Sequence, residues 1–186
     1  MSKQKIALTT PFDLKKLEQL KSGDQVLLSG IIYMARDAAH LRFHEALLAG
    51  KELPFDVNGQ VIYYAGPTLA KPGHIIGPCG PTTASRMDPF TPALIERGLR
   101  AMIGKGKRSP AVLNAMKKYG CVYFGAIEGT AALISHRVLS SEVIAYPDLE
   151  TEAVRKLEVA EMPVTVINDL YGRDLYEEGR RAYRIT

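Results

Sequence analysis

Between Gly66 and Pro92 the chain crowds ten glycines and prolines into 27 residues: Gly66, Pro67, Pro72, Gly73, Gly77, Pro78, Gly80, Pro81, Pro89 and Pro92. Proline fixes φ and removes a backbone donor, and glycine loses the most freedom on ordering. Neither a long helix nor a central strand can run through such a stretch. It predicts a long loop region, and in a compact protein a loop of that length usually carries function.

On either side the pattern turns regular. Residues 5–9 read as a strand, and Pro11 with Asp13 opens a short helix over Leu14–Leu20. After a Gly23-Asp24 turn, Val26–Met34 reads as a buried strand interrupted by Gly30, and Asp37–Leu48 as a helix closed by Gly50. Val61–Tyr64 is a further strand. Beyond the loop region the pattern predicts an amphipathic helix over Ala93–Ile103, and a helix from Ser109-Pro110 to Tyr119. Then come a strand at Cys121–Phe124, a small-residue helix at Gly129–Leu133 and a strand at Ser141–Tyr146. A helix at Thr151–Val159, a strand at Val164–Ile167 and a turn at Gly172 complete the expectation. Strands and helices alternate without a regular period or repeat, and no linker divides the chain, so a single α/β domain over 1–186 is expected.

Composition bounds what such a domain does. With 186 residues, 46% apolar and 24% charged, the chain can bury a core without staples, which excludes global disorder. No apolar run is long enough to span a bilayer, and Met1–Lys5 leads into Ile6-Ala7-Leu8 without a secretory stretch; a cytoplasmic location is expected. Cys79 and Cys121 are too few for a four-cysteine zinc site or an iron–sulfur cluster. The net charge of +4 is modest. Its densest basic stretch, Arg97–Arg108, lacks interleaved aromatics or a nucleic-acid motif, so a solvated face or a small-anion site is expected and nucleic acid is not.

Three motifs suit a small anion. Arg36-Asp37 stands where a strand gives way to a helix, beside free backbone N–H groups; Arg36 suits an anion site or a surface ion pair, and Asp37 suits a helix cap. Gly80-Pro81-Thr82-Thr83-Ala84-Ser85-Arg86-Met87-Asp88 gathers hydroxyls, a guanidinium and a carboxylate. A helical turn there would bring Thr82 and Arg86 to one face, whereas the ordinary alternative makes Thr82 or Thr83 an N-cap. Gly104-Lys105-Gly106 can project a lysine from a tight turn, as ordinary surface turns also do. His40 and His44 have the i,i+4 spacing of two metal ligands, but Leu41 replaces the zinc-protease glutamate and His74 and His136 are isolated; no metal site is assigned.

Taken with Tyr64-Ala65-Gly66-Pro67-Thr68, these motifs resemble the beta subunit, or C-terminal domain, of iron–sulfur class I fumarate hydratases and the related L(+)-tartrate dehydratases. The resemblance runs from Gly23-Asp24 to Leu157-Glu158-Val159 and Asp169-x-x-Gly172. Departures are Glu128-Gly129, where the family pairs glycines, and the lack of an aromatic over 151–157. The resemblance implies a swivelling β/β/α domain of a cytoplasmic hydro-lyase that adds water to a four-carbon dicarboxylate, as fumarate to malate in the tricarboxylic acid cycle, or acts on tartrate. It implies a 4Fe-4S cluster held by cysteines of a separate alpha subunit in a two-plus-two assembly, where the open iron is a Lewis acid. It further implies that Arg36, Thr82, Thr83, Arg86 and Lys105 bind substrate, that Thr82, Arg86 and Lys105 are catalytic, and that Thr82 sits at the proton-abstraction position. On chemical grounds an alkyl hydroxyl is a poor base, and Asp88 or His40 would be more ordinary ones. Two rivals make other predictions. A small-carboxylate-binding module would bind anions without any partner, and a zinc hydrolase would use His40 and His44; when isolated, the chain can form a homo-oligomer under any of these readings.

Overall fold

The computed structural model describes residues 5–126 and 131–184. Seven strands are present among them: β1 (Ile6–Thr9), β2 (Gln25–Met34), β3 (Val61–Tyr63), β4 (Ala101–Gly104), β5 (Val122–Gly125), β6 (Val138–Ala145) and β7 (Val154–Asn168). The helices are α1 (Leu14–Glu18), α2 (Asp37–Leu48), α3 (Thr91–Glu96), α4 (Pro110–Tyr119), α5 (Ala131–Ser135) and α6 (Leu175–Tyr183). The result is the expected mixed α/β architecture.

Strands β1 to β5 run parallel to their neighbours, and β7 returns antiparallel to both β2 and β5. The path β2-β3-β4-β5-β7 therefore leads back to β2 and closes a ring, with β6 paired on the outside of β7. Every residue of β3, β4 and β5 is buried, as parallel strands covered on both faces require. Side chains alternate between two cores. Val61, Tyr63, Ala101, Ile103, Val122 and Phe124 turn inward to meet Leu28, Ile32, Leu157 and Val164. Ile62, Met102 and Tyr123 turn outward onto Phe43 of α2, Leu94 and Ile95 of α3, and Val112 and Met116 of α4. Burying each of the larger of these side chains is worth about 1.5–3 kcal/mol, so the β3–β5 layer between two cores anchors the fold.

Local signals place most elements. Asp13 caps α1 by accepting from Lys16 N, and Ser109 caps α4 by accepting from Val112 N with Pro110 at the first helical position. Two expected helices are replaced. The Ala93–Ile103 helix stops at Glu96, because Gly98 takes φ +99° and turns the chain into the central strand β4. The Thr151–Val159 helix is a 3-10 turn, Pro147–Glu152, followed by the 15-residue β7. There Leu157 and Val159 alternate inward, and a bulge at Glu161 (φ +50°) resets the register so that Met162, Val164 and Val166 continue it. The Gly129–Leu133 expectation falls partly outside the described residues, as does Glu128-Gly129; α5 begins at Ala131.

Candidate functional site

The parallel strands β2, β3 and β4 deliver three loops to one end of the sheet: Ala35-Arg36, the Gly/Pro-rich stretch after Tyr63, and Lys105–Ser109. The carboxyl ends of parallel strands are where ligands bind in α/β proteins, whether the sheet is open or closed. All five site residues expected from the sequence meet there. Thr82 N–H donates to the Tyr64 carbonyl (2.7 Å), Lys105 N–H donates to the Thr82 carbonyl (3.3 Å) and Ala84 N–H donates to the Lys105 carbonyl (2.8 Å). Thr83 and Lys105 thus form a short parallel bridge that extends the sheet into its loops. A 3-10 turn, Ala84–Met87, carries Arg86 onward. The helical face expected for Thr82 and Arg86 does not form, because Thr82 is held in this bridge before the turn begins; Thr83 occupies the N-cap position without a side-chain cap bond.

Arg86 Nη2 donates to Asp37 Oδ2 at 2.8 Å, and Arg36 lies 3.6 Å from the other Asp37 oxygen and 3.3 Å from Glu152. Asp37 is therefore not the helix cap. It is the first residue of α2, and Glu152 supplies the cap by accepting from Ala38 N–H at 3.2 Å. Glu152 was hidden inside a predicted helix, and its role comes from the turn joining β6 to β7. That turn is tied to α2 by Arg42–Asp148 and by Phe43 against Tyr146. Gly66 completes the cradle: a Cβ there would stand 2.9 Å from the Thr151 carbonyl and 3.1 Å from Arg36 Cδ, so only glycine lets the arginine lie against this backbone. Two guanidiniums are thus fixed side by side by one carboxylate, with Arg86 half-exposed and Lys105 on the adjoining loop. Such a group can grip a carboxylate through paired N–H donors.

The two alternative bases are engaged elsewhere. Asp88 is buried and accepts from Arg108 Nε (2.7 Å) and from Ser109 N–H (2.6 Å). Arg108 also donates to Thr91 Oγ1 and the Tyr64 hydroxyl and stacks beside Tyr64 and Tyr123. This buried arginine was indistinguishable in sequence from its basic neighbours. Those neighbours disperse: Arg100 caps the carbonyl end of α4 at Tyr119 and Gly120, and Lys107 pairs with Glu177. His40 is fully buried and bonded through Nδ1 to the Arg36 carbonyl (2.8 Å). That bond makes Nδ1 the donor, and burial pushes the imidazole down to about 4, so it is neutral near pH 7. Its ring packs on Phe43 and Tyr64, while His44 packs on Phe90. His74 and His136, isolated in sequence, come within 6.5 Å ring to ring.

The model of the Fumarase C-terminus family matches residues 1–179. The chain belongs to that family. It is 38% identical over 178 residues to the anaerobic class I fumarate hydratase of Escherichia coli, covering 94% of this chain and 32% of that protein. It is 39% identical over 170 residues to the mitochondrial fumarate hydratase 1 of Leishmania major, covering 90% and 31%. A protein of Methanocaldococcus jannaschii named as a putative L(+)-tartrate dehydratase subunit beta is 38% identical over 170 residues, with 88% and 87% covered. The chain spans about one third of the length of the fumarate hydratases it matches. Within this fumarase C-terminus fold, the arginine pair and the Thr82–Lys105 bridge all lie on loops at one end of the sheet.

Neither thiol of the chain suits an iron–sulfur cluster. Cys79 lies in the inner core and Cys121 in the outer one. Burial pushes the first up to about 11 and the second up to about 12, so both are neutral thiols near pH 7. No helix among the described residues is long and apolar enough to cross a membrane.

Proposed function

We propose that this chain is the beta-type part of a hydro-lyase that reversibly adds water to a four-carbon dicarboxylate, fumarate to malate, and that it acts only with a cysteine-bearing alpha subunit in the cytoplasm. The observation that carries this reading is the convergence of Arg36, Arg86 and Lys105 on three loops at one end of the sheet, in a fumarase C-terminus fold. Any 4Fe-4S cluster belongs to the partner. Arg86, the most exposed of the arginine pair, takes one substrate carboxylate, with Arg36 fixing its direction through Asp37. Thr82 presents its hydroxyl where the substrate proton is exchanged. Neighbouring cations lower the cost of charge developing on that oxygen, as they do for other weak nucleophiles and bases.

Tartrate is the second substrate to consider, supported by the named tartrate dehydratase relative that is covered over 87% of its own length. Coexpression with the alpha subunit under anaerobic conditions, followed by assays on malate, fumarate and tartrate, tests the reading. Turnover of one of these acids is expected, and a cluster-loaded complex that hydrates or dehydrates none of them refutes it. Arg86→Ala is expected to lower kcat/KM of the complex by about 100-fold or more. A change of only a few-fold removes Arg86 from the site. Calorimetry of the isolated chain with malate addresses the binding-module alternative, which requires saturable binding without any partner.

A further inference from the structure

Beside the site several apolar side chains stand in solvent. Leu69 is 91% exposed and Ile75 55%, both on the loop after β3, and they face a groove of about 520 Å³ that Val143 of β6 also lines. Contiguous apolar surface of this kind on a soluble protein marks an interaction site, whereas single exposed leucines do not. β6 also carries the exposed Leu139. It pairs only with β7, so its other backbone edge has no strand beside it among the described residues. Unpaired edges are ordinarily blunted with charge or covered.

Two charged residues, Glu150 and Arg155, stand in this lining. Arg155 is the β7 partner of Val143, its Nε is buried without a hydrogen-bond partner among the described residues, and burial pulls its pKa down. Unsatisfied buried polar atoms are costly, so an occupant that supplies acceptors is favoured. The groove reaches Thr151, whose carbonyl lies against Gly66 beside Arg36. Whatever fills it becomes a wall of the anion site.

We propose that this groove is the seat of the alpha subunit: an apolar segment of that partner packs on Leu69, Ile75 and Val143 and places an aspartate or glutamate on Arg155. The proposal rests on the hydro-lyase reading, and two observations select this occupant. The related fumarate hydratases are about three times as long as the matched part, so two thirds of such an enzyme must meet this domain somewhere. The buried Arg155 Nε, unpartnered among the described residues although Glu150 lines the same groove, calls for a partner that brings an acceptor carboxylate among apolar groups.

The test measures the affinity of the alpha subunit for the full chain, and amide hydrogen exchange of the chain with and without it. Leu69→Asp with Val143→Asp, and separately Arg155→Glu, are expected to weaken the complex by about tenfold or more with the melting temperature of the chain unchanged. Exchange is expected to slow over 67–77 and 139–145. Unchanged affinity in both variants, with protection elsewhere, overturns the docking site while an active complex leaves the hydro-lyase reading standing. A complex weakened as expected but inactive on all three acids does the reverse. If the wild-type chain forms no complex, both fall. Sedimentation of the isolated chain supplies the last arm: a dimer dissolved by the same substitutions shows that a second copy fills the groove, and overturns the proposal.

Discussion

Arg86 and Asp88 stand two residues apart on one turn, yet they belong to opposite kinds of ion pair. Asp88 faces inward to Arg108, whose side chain is fully buried, and the pair is ringed by Thr91, Tyr64 and Tyr123. Arg86 faces outward to Asp37 with half of its side chain in solvent. The chemistry is the same and the surroundings differ. The inner pair cannot exchange partners, because removing either member strands a charge without water. The outer pair is worth little to the fold and can trade its carboxylate for a ligand's. An arginine–aspartate motif alone therefore identifies neither role; burial does.

The sharpest way to break the comparison is to truncate the inner arginine. Arg108→Ala is expected to cost about 3–5 kcal/mol in urea unfolding, since Asp88 is left buried and unpaired. A loss under about 1 kcal/mol would place the two pairs in one class. His40 comes next, because it ties the outer site to the core through the Arg36 carbonyl. Its folded-state pKa is lowered to about 4 from 6.5, so the unfolded chain binds the proton first as pH falls. Stability should be level above pH 6.5, drop by roughly 3 kcal/mol between 6.5 and about 4, and level again below. His40→Gln should flatten that component of the pH profile; an unaltered slope would show that other groups cause it.

Gly66→Ala probes the cradle of Arg36. The backbone of Thr151 cannot yield as a side-chain tip would, so a cost of about 1–3 kcal/mol is expected in thermal unfolding. A neutral result would mean that the Pro147–Glu152 turn shifts at no cost. The smallest effect belongs to the outer pair itself. Arg86→Ala should change stability by no more than about 1 kcal/mol, even though the same substitution is expected to remove most of the activity. Melting temperature and kcat/KM measured on one preparation separate those two effects.

The sequence was most informative where short-range chemistry decides the outcome. Asp13, Ser109-Pro110 and the glycine-rich run placed their caps and loops correctly, and the three anion-suited motifs do converge. It misled where a buried strand mimics a helix. Leu99, Ala101, Met102 and Ile103 form a nearly unbroken apolar run because β4 is covered on both faces, and periodicity cannot separate that from a buried helix. Val154 and Leu157, three apart amid helix-favouring residues, look helical although β7 is extended. The part of the site lost to view followed from this. With 151–159 read as a helix, nothing indicated that Glu152 would cap α2 and pair with Arg36. Arg108 offered no signal, because the partner that defines it lies 20 residues away and its burial depends on the whole sheet.

The ring also sets an order of events. β2 pairs with β7 in a register that joins Gln25 to Thr165 and Met34 to Arg155, more than a hundred residues apart along the chain. Such long-range pairing carries a large loop-closure cost and slows folding. A chain leaving the ribosome can line up β1 to β5 as they emerge, but the inner core stays open along one side until β7 arrives. The strands that carry the Arg36, Thr82 and Lys105 loops are thus made before the segment that locks them. Until then β2 offers an apolar edge to any passing strand, which makes the interval before closure the time of greatest exposure to aggregation and to chaperones.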